Sequence, residues 1–344
     1  DAVVICDHTS GYYGKYKLLP TLVQLQSDIT SPFPPLDLMV HIGEISAASF
    51  NDTIPAKEVW RVSEDGELRD PFKKLTTVFQ MSEEMFFLHY GKDGCNRHVL
   101  IDECRELFGE IYEQIPELPF CNIWTAMQLS SRLPKGALFH MGVSNTRRCW
   151  NMFQLPESVE SACNVGCCGI DGCVSTLVGA SLVNPDRLCY VVVGDLTFFY
   201  DLNSLGNHHI GTNLRVMLVN NGRGTEFRLG IHHCNVFGDD ADKYMAAAGH
   251  FGNKSPLLVK HYAEDLGFHY LSATTKEEFM TALSNFTNPQ LSDHSMILEV
   301  FTDSKDESEA LYLMSHIQSD AKGMVRSKLK DAVRNVAGEK GINA

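Results

Sequence analysis

Two apolar runs in this chain end in oxygen donors. "LCYVVVGD" closes on Gly194–Asp195, and "LRVMLVNN" closes on Asn220–Asn221 about 25 residues later. Uninterrupted apolar runs of this kind mark strands buried on both faces, so a carboxylate and an amide stand at two strand tips. Asp and Asn often follow strands simply as turn formers. Together they offer more. A carboxylate, an amide oxygen and a nearby main-chain carbonyl are hard ligands that suit Mg²⁺, which completes its octahedron with water and phosphate oxygens. Gly194, Gly222 and Gly224 let the backbone turn sharply and let a phosphate come close. The combination predicts a diphosphate–metal site.

Other chemistry-bearing groups point to less. The cluster "CNVGCCGIDGC" holds Cys163, Cys167, Cys168 and Cys173 but no C-x-x-C pair, and its spacings do not fit structural zinc. His208–His209 and His232–His233 are sequence neighbours, better suited to loops or surface than to one shared ion. The 11 cysteines are odd in number and several sit inside apolar runs, which reads as reduced thiols in a cytoplasmic protein.

The elements that position the two tips follow from periodicity. Over 1–92, "AVVICD", "LDLMVHIGEIS", "KEVWRVS" and "MFFLHY" read as strands, and "KLLPTLVQLQSD" as a helix with Pro20 in its first turn. The polar stretch "GKDGCNR" at 91–97 places a domain boundary there, giving units 1–92 and 93–344. In the second unit, "IDECRELFGEIYEQI", "NIWTAMQLSSRL", "SPLLVKHYAEDLG" and "KEEFMTALSNF" read as helices. "GIDGCVSTLVGASLV" reads as a glycine turn opening a helix, and "ADKYMAAAG" as a helix ending at Gly249. "GALFHMGVS", "FHYLSA" and "SMILEVFT" read as strands, and the tail from Glu307 as helical and charged. Alternating strands and helices predict parallel α/β sheets, doubly wound, whose ligands bind beyond the carboxyl ends of the strands.

Composition bounds the partners. With 44% hydrophobic residues the chain can bury sizeable cores, and a net charge of −14 argues against nucleic acid or an anionic membrane as the main partner. No apolar run approaches the length of a membrane span, and no signal peptide is visible. The chain opens on Asp1 and runs at once into "AVVIC", which reads as a piece of a longer protein without its N-terminal part.

Gly-Asp-x followed after about 25 residues by Asn-Asn resembles the binding motif of thiamine-diphosphate (ThDP) enzymes, with Leu196 where glycine is usual. "GDLTFFYDLNSL" and "GIDGCVSTLVGAS" are similar to one branch of them, the 2-succinyl-5-enolpyruvyl-6-hydroxy-3-cyclohexene-1-carboxylate synthases of the menaquinone pathway. The resemblance covers most of 130–300 and extends weakly to "GELRDP" in the first unit. It implies a central Rossmann-like domain over 1–92 and a pyrophosphate-binding domain over 93–344. Asp195, the Asn221 side chain and the Arg223 carbonyl would hold Mg²⁺. Leu196 and Thr197 would meet the diphosphate, and Ile170 would be the wedge under the cofactor that bends it. Gly169, Gly194, Gly224 and Thr225 would be further cofactor-binding positions.

The same resemblance implies decarboxylation of a 2-oxo acid and transfer of the resulting acyl carbanion to an acceptor. It also implies a homodimer or homotetramer, and a pyrimidine-binding domain, from the same or another subunit, carrying the activating glutamate. No glutamate here matches that context, so no catalytic residue is assigned and the chain alone is expected to be inactive. In "GVSNTRR", Ser144 and Arg148 match substrate-contacting positions, and Arg148 can grip a carboxylate with two parallel hydrogen bonds. Three departures stand against the menaquinone substrate. Val165 replaces an arginine, Ser49–Phe50 replaces a basic pair, and Glu226 replaces an isoleucine and would repel anions if it faced the site. A ThDP-dependent decarboxylase or carboligase for a less anionic 2-oxo acid, and a non-catalytic diphosphate-binding or assembly module, remain open.

Overall fold

The computed structural model describes residues 1–31, 33–43, 54–91, 98–166, 168–229, 232–244, 252, 254–329 and 332. Ser49–Phe50, Cys167, Gly249 and all but the first residue of the 91–97 break lie outside them.

The chain divides into two compact units. One comprises Asp1–Ile5, Gly14–Ile115 and Ser315–Ala344; the other comprises Cys6–Tyr13 and Pro116–Met314. The division thus falls at Ile115/Pro116, not at the polar break where the sequence places it. Helix packing is the reason, as the first unit makes plain.

In that first unit β1 (Val4–Ile5) and β2 (Lys17–Leu18) form a short parallel pair, followed by α1 (Thr21–Leu25). β3 (Leu36–Ile42), β4 (Ala56–Ser63) and β5 (Leu75–Gln80) form a parallel three-stranded sheet in that order. "MFFLHY", expected as a strand, is instead helical, in α2 (Glu83–Tyr90). Ser82 decides this. Its hydroxyl accepts from the Met85 N–H at 3.3 Å, and Glu83 and Glu84 in the first turn favour the positive end of the helix dipole. α3 (Val99–Glu113) turns Ile101, Cys104, Phe108 and Ile111 inward, and the Phe108 ring meets Phe33 edge-on at 5.4 Å. This contact makes α3 part of the first unit. The chain after Met314 returns there too, Thr30 donating to Asp320 through both its N–H and its hydroxyl.

The second unit contains α4 (Asn122–Leu129), β6 (Leu138–Met141), α5 (Asn145–Trp150), β7 (Glu160–Cys163), α6 (Cys173–Val183), β8 (Cys189–Gly194) and α7 (Asp195–Tyr200). β9 (Leu214–Asn220), α8 (Ala241–Tyr244), α9 (Leu258–Asp265), β10 (His269–Ala273), α10 (Lys276–Phe286), β11 (Met296–Phe301) and α11 (Ser304–Ser315) follow. Its six strands are all parallel, in the order β10-β11-β9-β8-β6-β7.

The chain leaves β6 toward β7 on one side and leaves β8 toward β9 on the other. The winding therefore reverses between β6 and β8, the kind of point at which open α/β sheets bind ligands. β8 and β9 carry the most buried apolar residues of the sheet, and α6 packs Val174, Leu177 and Val178 against them. Edge strand β7 and the short α5 escaped the periodicity reading, because neither is long enough to show a repeat.

Among the described residues no helix is long and apolar enough to cross a membrane, and every cysteine is a free thiol. Leu218 is fully buried at the centre of the sheet, whereas Val183 is 78% exposed. In denaturant titrations Leu218→Ala is expected to cost about 2–5 kcal/mol, and Val183→Ala less than about 0.5 kcal/mol.

Candidate functional site at the carboxyl edge of the six-stranded sheet

In the parallel pairing of β8 with β9, Gly194 lies beside Val219. Asp195 is therefore level with Asn220, and Asn221 stands one residue beyond. The two asparagines then divide the work. Strand alternation sends the Asn220 side chain into the sheet, where its amide nitrogen donates to Glu299 Oε1 at 2.7 Å, while the Asn220 main-chain carbonyl accepts from Thr302 N–H at 3.1 Å. The other Glu299 oxygen accepts from the Tyr270 hydroxyl at 2.7 Å. Burial pushes the Glu299 carboxyl up, these two hydrogen bonds oppose that, and the charge of Asp195 adds to the rise. Asn221 is the amide that emerges. It is half-buried, and its oxygen accepts a long 3.4 Å hydrogen bond from Arg223 N–H. Gly222, at φ +82°, turns the chain just beyond the tip of β9, ahead of Arg223 and Gly224.

Asp195 opens α7 and is 2% exposed, its Oδ1 accepting from Leu196 N–H at 2.8 Å. Leu196 is half-buried, and Thr197 and Thr225 are buried. Gly194 has an unstrained φ of −76°, and a Cβ built on it would meet nothing among the described residues within 4 Å. Among the described residues neither backbone conformation nor packing calls for glycine there. Among the described residues no cluster of three or more His, Cys, Asp or Glu could hold a metal. The donors that the two strand tips would offer a metal, the Asp195 carboxylate, the Asn221 amide and a main-chain carbonyl, form a set that needs phosphate or water to complete it.

Ser144 and Arg148 follow the tip of β6, on the other side of β8. Ser144 sits at φ +61°, ψ −122°, which is strained for a residue with a Cβ. Its carbonyl accepts from Arg148 N–H at 3.1 Å. The Arg148 guanidinium does not stand ready for a ligand. Its Nη2 donates to Glu226 Oε1 at 2.6 Å, its Nη1 to Glu226 Oε2 at 3.0 Å, and Nη1 also reaches Asn145 Oδ1 at 3.4 Å. Arg147 has a carboxylate as well, Asp7 at 3.3 Å, with both side chains about a tenth exposed. Glu226 thus pairs with the arginine that the resemblance marks as a substrate contact.

The loop between β7 and α6 carries Val165, Gly169 and Ile170, all partly exposed. Ile170 is thus not a core residue. Gly172, at φ +80°, turns the chain into α6. Cys168 is exposed, Cys163 half-buried and Cys173 buried.

One carboxyl at this edge gave no signal in the sequence. Glu307 reads as one more charge on the helix "SKDESEALYLMS", yet it is 1% exposed. It accepts from Asn122 N–H at 2.9 Å and from the Thr302 hydroxyl at 3.0 Å. Burial pushes its carboxyl from 4.5 up to about 7, against these hydrogen bonds. Its contribution to stability is therefore full below about 4.5 and is lost as pH rises toward 7, because the unfolded chain releases the proton first. Glu307→Gln is expected to flatten this decline, measured as the pH dependence of unfolding free energy, by about 1–4 kcal/mol. Relief of strain makes Ser144→Gly about 1 kcal/mol more stable, whereas Ser144→Ala gains nothing; thermal denaturation distinguishes the two.

No family model matches the chain. Over 263 residues, 75% of the chain, it is 33% identical to the 2-succinyl-5-enolpyruvyl-6-hydroxy-3-cyclohexene-1-carboxylate synthase of Bacteroides fragilis, and the match spans 45% of that protein. The protein of the same name from Phocaeicola vulgatus is 32% identical over 265 residues, 75% of the chain and 44% of the relative. That from Christiangramia forsetii is 33% identical over 199 residues, 58% of the chain and 33% of the relative. The chain spans less than half the length of these curated relatives. Over three quarters of its length, this chain is a homologue of the 2-succinyl-5-enolpyruvyl-6-hydroxy-3-cyclohexene-1-carboxylate synthases.

Proposed function

We propose that this chain carries the diphosphate and Mg²⁺ side of a ThDP site, in an enzyme that decarboxylates a 2-oxo acid and joins the remaining acyl unit to an acceptor. The observation that carries this reading is the placement of Asp195 and Asn221 at the tips of neighbouring parallel strands, beside the point where the winding reverses. The name shared by the relatives supports it.

In this reading Asp195, the Asn221 amide oxygen and the Arg223 carbonyl hold the metal. Gly194, Leu196, Thr197, Gly224 and Thr225 surround the diphosphate, and Gly169 and Ile170 lie beneath the ring system. When bound, the cofactor supplies the electron sink for decarboxylation. The chain's own residues bind and orient. Asp195 is buried at the strand tip, where its carboxylate would supply a hard oxygen ligand. The Glu299–Asn220–Tyr270 hydrogen bonds hold the tip of β9 in place. In this reading the turn at Gly222 would present the main-chain groups of Arg223 and Gly224 to the same ligand.

The first unit is the central Rossmann-like domain in this reading, and the second is the pyrophosphate-binding domain. The complete enzyme adds a pyrimidine-binding domain with its glutamate and works as a homodimer or homotetramer in the cytoplasm. The free thiols fit that compartment.

Isothermal titration calorimetry of the chain with ThDP and Mg²⁺ tests the assignment. Asp195→Ala is expected to weaken binding by about a hundredfold, through loss of a buried charged ligand. Gly194→Ala is expected to weaken it by about tenfold while changing unfolding free energy by no more than about 0.5 kcal/mol. Asp195→Ala binding as tightly as the parent removes the metal assignment. The chain on its own is expected to bind without turnover, measured as CO₂ release from 2-oxo acids.

A further inference from the structure

Arg148 and Glu226 come from different loops of the same sheet edge, Arg148 from α5 after β6 and Glu226 from the turn Thr225–Arg228 after β9. They meet fork to fork at 2.6 and 3.0 Å, the geometry in which arginine recognises a free carboxylate. Their side chains are 23% and 21% exposed, too buried for a freely hydrated surface pair yet still reachable from solvent. Burial works against the guanidinium charge, and the Glu226 contact more than offsets it.

An incoming carboxylate would have to evict Glu226 and leave it half-buried without its partner. Breaking such a pair on one side is costly, because the remaining charge is uncompensated. Arg147, the adjacent cation, is held by Asp7 and offers no substitute.

We infer that Glu226 is a specificity-determining residue that fills the Arg148 subsite with an internal carboxylate, so that the site accepts 2-oxo acids whose distal end is uncharged and disfavours those carrying a second carboxylate there. The inference rests on the ThDP reading for the reaction that the site serves. The pairing itself is independent of that reading.

The probes are 2-oxoglutarate and 2-oxopentanoate, five-carbon 2-oxo acids that differ in whether the far end is a carboxylate or a methyl group. Each is titrated by calorimetry into the full chain, with and without ThDP and Mg²⁺. The proteins are the parent, Glu226→Gln, Glu226→Ala and the double variant Arg148→Gln/Glu226→Gln, each first shown to be folded by its melting curve. Glu226→Ala serves if Glu226→Gln does not fold. The parent is expected to prefer 2-oxopentanoate. Removing the Glu226 charge is expected to raise affinity for 2-oxoglutarate by about tenfold or more while moving 2-oxopentanoate by less than roughly threefold. The double variant is expected to lose that gain.

No gain for 2-oxoglutarate, including no detectable binding of it by the single variants, overturns the inference, as does a gain that persists without Arg148. The cofactor titration separates the two ideas. A parent that takes up no ThDP overturns the cofactor reading, whereas a parent that binds ThDP but gains nothing on loss of Glu226 overturns only the role given to Glu226.

Discussion

The pairing of β8 with β9 is the constraint on which this edge of the molecule depends. Both strands are buried on both faces, and their register sets Gly194 beside Val219. A slip by one residue would turn every side chain of a strand to the opposite face. Asn220 would then lose Glu299, and Asn221 would be directed inward in its place. The apolar packing of the sheet interior thus determines which oxygen atoms emerge at its end. Because all six strands are parallel, the loops after β6, β7, β8 and β9 all leave on that side. Residues far apart in the chain are thereby gathered along one edge.

Polar groups along this edge are satisfied largely from within the chain. Glu299 is hydrogen-bonded by Asn220 and Tyr270, Arg147 is paired with Asp7, and Arg148 with Glu226. Buried polar atoms without partners are costly, so such pairing is expected wherever the sheet end is covered. Its consequence for chemistry is selective. An arginine already matched by a glutamate contributes shape and rigidity but no net charge. Asp195 is buried at the strand tip, its Oδ1 accepting from the N–H of its neighbour Leu196. The region of Arg148, by contrast, is neutralised by Glu226.

Long apolar runs were legible in the sequence because burial on both faces leaves a composition signal that needs no partner to be read. β8, β9 and β11, and the amphipathic helices α3 and α10, were recognisable in this way. "MFFLHY" was misread because a short apolar run carries no decisive period, and the local cap at Ser82 settled it as a helix. The polar break at 91–97 suggested a boundary, yet α3 beyond it packs on Phe33 and belongs with the first unit. Composition along the chain marks where it is hydrophilic, not which sheet the next helix covers.

By itself the sequence determined the parallel α/β class, the oxygen donors at two strand tips and the glycines around them. Each of these is a local property: apolar patterning, residue chemistry and turn preference. Tertiary structure decided which asparagine faces inward, that the winding reverses between β6 and β8, that Glu307 is buried, and that Glu226 reaches Arg148 rather than a ligand. Those facts depend on strand order and on loops that meet only after the sheet has formed. The 78 positions separating Arg148 from Glu226 in the chain carry no trace of their contact.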